Sequence, residues 1–179
     1  MATQPDRTLT ISRVVSFNRK RELILGKPLR GTCLCGKVGI DVSEPALMTM
    51  ACHCRGCQKL TSSAFSLCAS IPTSGFRATG IEPVVGALNG DTRHLYCPHC
   101  KTWLYSLPAG VDSYVNVHPT LFDHVEWLFP FAEVHTAEKL AWATTPAIHS
   151  FTGFPEPETF RQLVEEFQAA AYSTNADSI

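Results

Sequence analysis

The fold can be worked out from one short segment, Cys52-His53-Cys54-Arg55-Gly56-Cys57-Gln58, which places three cysteines within six residues. The pair Cys33-Leu34-Cys35 precedes it, and Cys97-Pro98-His99-Cys100 follows it. Cysteines two or three residues apart can direct their sulfurs at one metal ion, whereas a disulfide between such close neighbours would be strained. The spacing therefore predicts metal binding. The rest of the chain is predicted to be a scaffold that brings the three groups together.

Length and composition fit one globular domain with short extensions. The chain has 179 residues, of which 45% are apolar and 17% are charged. A net charge of −1 provides no field that would attract nucleic acid or an anionic membrane. No apolar run approaches the ~18 residues of a membrane span, and residues 1–9 contain no signal-peptide core. We therefore predict a cytoplasmic protein without a membrane partner, whose thiols serve metal or redox chemistry.

Three segments are predicted: an N-terminal extension over residues 1–29, a zinc-binding β domain over residues 30–150, and a C-terminal helix and tail over residues 151–179. The extension carries a basic group that faintly resembles a mitochondrial presequence. This group comprises Arg13, Arg19, Lys20 and Arg21. A solvated basic tail is the preferred interpretation.

Alternating apolar residues predict that the middle segment is mainly β. Strands are predicted at 38–42, 47–51, 65–71, 84–88, 94–96, 103–107, 114–117 and 134–136, followed by 139–142. Asn89-Gly90 is a strong signal for a hairpin turn. Trp103, Trp127 and Trp142 are predicted to lie in the core.

The C-terminal segment changes character after two prolines. Phe160, Leu163, Val164 and Phe167 repeat at helical spacing. This spacing predicts an amphipathic helix over residues 158–171 whose apolar face docks on the core. Residues 172–179 are predicted to be disordered.

Seven clustered thiols fit two zinc sites, because zinc takes four ligands in structural sites and three plus an open position in catalytic ones. The favoured partition joins the first and last pairs into one closed site, Cys33, Cys35, Cys97 and Cys100. It leaves a three-thiolate site with an open position, Cys52, Cys54 and Cys57. In the alternative, Cys97 and Cys100 join two of the central thiols.

Charge limits what the open site can do. Zinc with three thiolates carries a formal charge of about −1, so a bound water should be less acidified than the pKa near ~7 of carbonic anhydrase. A small thiol suits the fourth position better, which indicates sulfur chemistry rather than hydrolysis. Alternatively, His53 or His99 fills that position and the site is structural. Alternation along the chain directs His53 away from its neighbours.

These motifs resemble those of the glutathione-dependent formaldehyde-activating enzyme family, which also includes centromere protein V. The resemblance rests on Gly31-Thr32-Cys33-Leu34-Cys35-Gly36-Lys37-Val38, on the central motif continued to Lys59, and on Tyr96-Cys97-Pro98-His99-Cys100. Thr120-Leu121-Phe122-Asp123 is similar to the family's small-Leu-Asp segment. Pro130 with Glu133, Lys139 and Trp142 is similar to its closing pattern. The resemblance covers about residues 30–143.

The resemblance implies a β-tent, an arrangement of small antiparallel sheets around zinc. It implies structural zinc on Cys33, Cys35, Cys97 and Cys100, and catalytic zinc on Cys52, Cys54 and Cys57. The implied activity is that of a carbon–sulfur lyase that joins glutathione and formaldehyde into S-hydroxymethylglutathione. The expected partners are thus a small thiol and a small electrophile.

Two positions depart from the family pattern, which has glycine after the last cysteine and again about five residues after the central motif. Here these places hold Lys101 and the pair Ser62-Ser63. A left-handed backbone costs a residue other than glycine ~1 kcal/mol or more. We therefore expect a differently shaped turn at Lys101. We expect a narrower or more polar pocket near Ser62.

The remaining candidates are given structural roles. Cys68 is predicted to be a buried strand residue. Acid–base partners could come from His118, Asp123, His124 and His135, although a surface or hydrogen-bonding role is preferred for each. Besides the enzyme, the sequence leaves open a non-enzymatic zinc module for protein or chromatin contacts, in which the fourth position of the central site is filled.

Overall fold

The structure is a computed structural model that describes residues 28–123 and 129–172. Its strands are β1 (Leu29–Thr32), β2 (Val38–Val42), β3 (Met48–Cys52), β4 (Ser66–Pro72), β5 (Phe76–Gly80), β6 (Val84–Asn89), β7 (Thr92–Tyr96), β8 (Trp103–Leu107), β9 (Tyr114–Val117), β10 (Ala132–Val134) and β11 (His149–Ser150). Its helices are α1 (Arg55–Thr61) and α2 (Pro157–Tyr172). The predicted fold class, mainly β with a C-terminal helix, is confirmed. The predictions for residues 1–27 and 173–179 lie outside the described residues.

The strands form two sheets. The smaller is antiparallel, with the order β1-β2-β5. The larger has the order β11-β10-β3-β4-β9-β8-β7-β6. It is antiparallel except at β10, which pairs parallel with both β3 and β11. Among the described strands neither order closes on itself, so the sheets are open rather than a barrel.

The core lies between the sheets and under α2. In β2, Val38, Ile40 and Val42 are buried while the residues between them are half-buried, as strand alternation predicts. In β3, four consecutive residues, 48–51, are buried, because this strand is central in the larger sheet and α2 packs against it. Continuous burial of this kind is expected where both faces of a strand are covered.

The apolar face of α2 is the predicted one. Leu163 and Phe167 are only 3% and 1% exposed, and Phe160 and Val164 pack against the same core. The ring of Phe167 meets that of Phe131 edge-on, with centroids 5.2 Å apart. A docked helix of this kind gains its stability from burial rather than from propensity. The predicted core-docking role is confirmed.

Several local predictions were wrong or incomplete. Strands β1, β5 and β11 and the helix α1 were not predicted, and residues 136–138 form a turn of 3₁₀ helix rather than the end of a strand. The extended run ends at Val134, because His135 takes a left-handed conformation with φ 57°. No strand follows at 139–142 in the described structure, where the N–H of Ala143 donates to the carbonyl of Leu140 at 2.9 Å and closes a turn instead. Trp142 is not in the core, since it is 73% exposed. Trp127 lies outside the described residues.

The β6–β7 hairpin is present, but its loop is displaced by one residue from the Asn-Gly signal. Asn89 pairs with Thr92, so the two loop residues are Gly90 and Asp91. Gly90 has a φ of 59°, which glycine adopts without steric cost. The glycine therefore still supplies the turn.

The turn at Lys101 keeps the left-handed shape despite the missing glycine. Lys101 has a φ of 62°, and its N–H donates to the carbonyl of Cys97 at 3.0 Å. Its Nζ donates to the carbonyl of Pro98 at 2.8 Å. The expectation of a differently shaped turn was wrong, because the backbone bond to Cys97 holds the turn and the lysine bears the conformational cost. Ser62 likewise is left-handed, with φ 51°, where it ends α1.

Lys101→Gly is expected to stabilise the protein. Removing the side chain relieves a cost of roughly 1 kcal/mol or more, part of which is offset by the greater freedom of glycine in the unfolded chain. We expect a net gain of about 0.5–1 kcal/mol, seen as a rise of about 2 °C in melting temperature. Lys101→Ala is the matched control, because it keeps Cβ and should give no gain. Equal melting temperatures for the two variants would contradict the argument.

Candidate metal centres

Four cysteine sulfurs from two distant turns meet in one place. The sulfurs of Cys33, Cys35, Cys97 and Cys100, here called the four-cysteine cluster, all lie within 4.8 Å of one another. The Cys33 and Cys35 sulfurs are 3.5 Å apart, and those of Cys35 and Cys97 are 3.8 Å apart. Two of these residues, Cys33 and Cys97, are buried.

Local backbone bonds shape the turns that carry these sulfurs. Cys33 follows β1, and its N–H donates to the carbonyl of Val38 at 3.0 Å. Cys97 follows β7, and its N–H donates to the carbonyl of Thr102 at the same distance. The turns are joined directly, because the N–H of Leu34 donates to Thr102 Oγ1 at 3.2 Å. One turn belongs to the smaller sheet and the other to the larger, so the cluster bridges the two sheets.

The central motif forms a second group. The sulfurs of Cys52, Cys54 and Cys57, here called the three-cysteine cluster, also lie within 4.8 Å of one another. Cys52 ends β3, and Cys54 caps α1 by accepting a hydrogen bond at Sγ from the N–H of Cys57 at 3.3 Å. The end of β3, the capping residue of α1 and the first turn of α1 thus bring their three sulfurs together. All three residues are half-buried.

The spacing and the atoms of both clusters fit a tetrahedral metal ion. Zinc with Zn–S bonds of ~2.3 Å places its sulfur ligands about 3.8 Å apart. The distances of 3.5 and 3.8 Å in the four-cysteine cluster agree with this value. Sulfur is also the ligand that soft metals such as zinc prefer. Both clusters could therefore bind a metal ion.

The pKa values of Cys52 and Cys57 in the three-cysteine cluster shift in opposite directions. A hydrogen bond from Cys52 lowers the pKa of Cys57 to about 6, although burial opposes the shift. The same hydrogen bond, together with burial, raises the pKa of Cys52. The thiolate is the form that binds metal. Within this cluster the hydrogen bond therefore favours the metal-binding thiolate form at Cys57 rather than at Cys52.

A model of the glutathione-dependent formaldehyde-activating enzyme family matches residues 28–138, which is more than half of the chain and includes all seven clustered cysteines. The chain belongs to this family. Its members are named for the glutathione-dependent activation of formaldehyde. No curated protein matches the chain. A solved structure of a Rhodobacter sphaeroides protein is 19% identical, with a TM-score of 0.46, and the match covers 55% of this chain and 91% of that one.

Glu133, from the closing pattern of the family, lies at the centre of a buried polar network. Its carboxylate accepts bonds from Lys139 Nζ at 2.8 and 3.0 Å, from Thr145 Oγ1 at 2.7 Å and from Ser150 Oγ at 3.0 Å. It also lies 3.1 Å from Nε2 of His53, the fully buried residue between Cys52 and Cys54. His53 therefore faces Glu133 rather than the sulfurs.

Glu138, five residues after Glu133, forms hydrogen bonds with the central motif at two further points. The side chain of Glu138 accepts a hydrogen bond from the N–H of Arg55 at 2.7 Å. Gln58 donates from Nε2 to the carbonyls of His53 and Glu138 at 2.6 and 2.9 Å. These contacts were not predicted. The sequence signal for Glu133 was its place in the closing pattern, whereas Glu138 carried none.

The other candidates are dispersed. Cys68 is partly buried against the core, and burial raises its pKa to about 12, so it is an inert thiol. His118 packs on Trp103 with centroids 4.0 Å apart, and burial lowers its pKa to about 4. Asp123 is exposed, as are Ser62 and Ser63 at the end of α1. His124 lies outside the described residues.

Glu133→Gln is expected to destabilise the protein by about 2–3 kcal/mol at pH 7. Burial raises the pKa of Glu133, but hydrogen bonds from Lys139, Thr145 and Ser150 outweigh it and hold the pKa at about 2. A lowered pKa contributes stability above the ordinary value of 4.5 that is lost as pH falls toward 2. Thermal melts should show a gap of about 5 °C or more at pH 7. The gap should stay constant from about pH 6 to 8, because the Glu133 carboxylate remains ionised throughout that window.

Glu165→Gln is the matched control, because Glu165 is exposed on α2. It should melt with the wild type at every pH. A Glu133→Gln variant that melts within 1 °C of the wild type at pH 7 would show that the network contributes little (about 0.5 kcal/mol or less).

Proposed function

We propose that the protein is a cytoplasmic zinc-dependent carbon–sulfur lyase that joins a small thiol, glutathione, to a small aldehyde such as formaldehyde. In this proposal it binds two zinc ions. The ion at the four-cysteine cluster is structural, and the ion at the three-cysteine cluster serves the reaction. Family membership supports the general activity.

One observation carries the proposal: the three-cysteine cluster presents three sulfurs within 4.8 Å, and no fourth histidine, cysteine or acidic ligand joins them among the described residues. The four-cysteine cluster, by contrast, is complete. His53, which the sequence offered as an alternative ligand, is turned toward Glu133. The arrangement therefore leaves a position for a ligand from outside the chain.

When bound there, zinc would supply a soft cationic site that favours the thiolate form of a coordinating thiol. The chain's own part is to hold three sulfurs at one point through the cap at Cys54 and the contacts of His53 and Gln58. The net reaction adds the thiol across the carbonyl bond of the aldehyde. A carbon–sulfur bond forms, the S–H bond breaks, and the aldehyde oxygen ends with the proton. The reverse reaction releases the aldehyde.

Glutathione binding at neutral pH is expected to release close to one proton. A free thiol has a pKa near ~8.5, so it must lose its proton to bind as a thiolate. Apparent affinity should rise with pH up to about the pKa of the thiol and then level off. At low pH it should fail, because the cysteine ligands protonate and the metal leaves. Calorimetry in two buffers of different ionisation enthalpy, from about pH 6 to 9, measures the proton release.

Elemental analysis of the same preparation, purified without chelator, should give about two zinc ions per chain. One zinc or none would overturn the two-site proposal. Binding without proton release, or no binding of any small thiol, would overturn thiol activation and favour a zinc-stabilised interaction module.

A further inference from the structure

A groove of about 940 Å³ lies beside the N-terminal half of α2. It is lined by residues 110–114, where the loop after β8 enters β9, and by residues of the segment 154–165. Three of the lining rings are stacked in series: Phe160 stacks on Tyr114 with centroids 5.7 Å apart, and on Phe154 with centroids 5.8 Å apart. Phe154 is 49% exposed. A contiguous apolar surface of this kind indicates an interaction site.

The charge around the groove is mostly negative. Asp112 and Glu165 line it, and Glu156 is exposed between two of the lining prolines. Within the described ranges no ion pair engages any of these three carboxylates. Arg161, the basic residue of the lining, is paired with Glu158 on the same helix. The groove therefore suits an occupant that combines apolar side chains with positive charge.

Residues 1–27, here called the N-terminal segment, have this composition. Four apolar residues lie within seven positions of the segment, namely Ile11, Val14, Val15 and Phe17. Four basic residues lie among them or shortly after them, namely Arg13, Arg19, Lys20 and Arg21. Residues 8–21 include no aspartate or glutamate. The N-terminal segment thus complements the groove in both polarity and charge.

The N-terminal segment enters the domain close to the groove. Leu29, at the start of β1, pairs with Val42. The residue after Val42 donates its N–H to the carbonyl of Gly75 at 2.9 Å. Thr73 in turn donates from its N–H and Oγ1 to the carbonyls of two groove residues, at 3.0 and 2.7 Å. This path from the start of β1 to the groove is roughly 25–30 Å long.

The N-terminal segment is long enough to cover that path. Phe17 lies 11 residues before Pro28. An extended chain of that length spans about 36 Å, so the apolar residues of the segment can reach the groove. Because the segment is covalently attached, its effective concentration at the groove is on the order of millimolar. Weak apolar and ionic contacts are then sufficient for docking.

We propose that the N-terminal segment docks in this groove, with its apolar residues against Phe154 and Phe160 and its basic residues beside Asp112 and Glu156. The N-terminal segment and α2 both lie outside residues 28–138, which the family model matches. The docked segment is therefore an addition that this chain makes to the domain of the family. The inference does not depend on the proposed function.

Limited digestion of the full chain with trypsin measures docking, because cleavage after Arg13 follows the fraction of molecules whose segment is undocked. Phe17→Ser in the segment and Phe154→Ser in the groove should each speed this cleavage about tenfold, since each removes an apolar side chain from the contact. Leu88→Ser is the matched control, because Leu88 is 67% exposed on β6 and does not line the groove. It should stay within twofold of the wild type. Circular dichroism checks that every variant is folded.

A charge variant tests the ionic part of the contact. Asp112→Asn combined with Glu156→Gln should speed cleavage after Arg13 about threefold, the effect of losing two exposed ion pairs. Glu82→Gln is its control, because Glu82 is exposed and does not line the groove. If the double variant and this control are cleaved at the same rate, the basic residues of the segment do not pair with these carboxylates.

A photoreactive side chain identifies directly what occupies the groove. Phe17 is replaced by benzoylphenylalanine in the full chain, and irradiation should join position 17 to residues 110–114 or 154–165 of the same chain. Cross-links between two chains would show that a second copy occupies the groove and would overturn the proposal. Cross-links confined to other parts of the chain would overturn it too. Equal cleavage of the wild type, Phe17→Ser and Phe154→Ser would show that the N-terminal segment is a solvated tail.

Discussion

Cys35→Ser and Cys100→Ser are each expected to unfold the domain at ordinary temperature. The four-cysteine cluster joins the turn after β1 to the turn after β7, and Cys35 and Cys97 are 62 residues apart in sequence. It therefore connects the smaller sheet to the larger one at the edge of the core, where Cys33 and Cys97 are only 2% and 0% exposed. Structural zinc in small sites contributes about 10–16 kcal/mol, comparable with the whole stability of about 5–15 kcal/mol of a domain.

Circular dichroism and thermal melting measure this result. Cys68→Ser is the matched control, because it removes a partly buried thiol that belongs to neither cluster. It should stay folded, with a loss of about 1 kcal/mol. A Cys35→Ser protein that melted cooperatively within a few degrees of the wild type would refute the structural role of the four-cysteine cluster.

Cys54→Ser is expected to leave the domain folded and to abolish measurable thiol binding. The three-cysteine cluster is local in sequence, so a metal ion bound there would add little constraint on the unfolded chain. Serine is a good helix cap, and the substitution should therefore preserve the start of α1 that Cys54 now caps. The motif also keeps its contacts through His53 and Gln58. We expect a fall of at most a few degrees in melting temperature and about one zinc per chain instead of two.

Three measurements on one preparation of Cys54→Ser test this prediction. Elemental analysis gives the zinc content, thermal melting gives the stability, and calorimetry gives the affinity for glutathione. Proton release on thiol addition should vanish together with binding. If Cys54→Ser lowers stability as much as Cys35→Ser does, the three-cysteine cluster is structural too. If it binds glutathione as tightly as the wild type, the thiol does not occupy the position that these sulfurs leave open.

The sequence alone predicted the mainly β class, the docked helix α2 and most of the strands. These are local properties, because a strand buries every second residue and a helix buries one stripe, and both periods can be read in a short window. Strands that were missed, such as β1 and β11, are short and lack a clear alternation. The helix α1 was missed because its cap is a cysteine, which is not among the common capping residues.

That the clustered cysteines could bind metal was also predicted from the sequence. A spacing of two or three residues directs cysteine sulfurs to one point whatever surrounds them. Spacing could not decide which of the groups share an ion, so two partitions remained. The strand order groups the sulfurs as the favoured partition has them, because the turn after β1 meets the turn after β7 while Cys52 ends β3 in the middle of the larger sheet.

Only the tertiary structure placed Glu133 against His53. His53 and Glu133 are 80 residues apart, and they meet because β10 pairs parallel with β3. The tertiary structure also decided the backbone conformation of Lys101 and Ser62, since each adopts a left-handed conformation that its residue type disfavours. Surrounding contacts outweigh a local preference of about 1 kcal/mol. The sequence therefore determined the cysteine spacing and the periodicity of the strands and of α2. Long-range packing decided which of these distant residues meet.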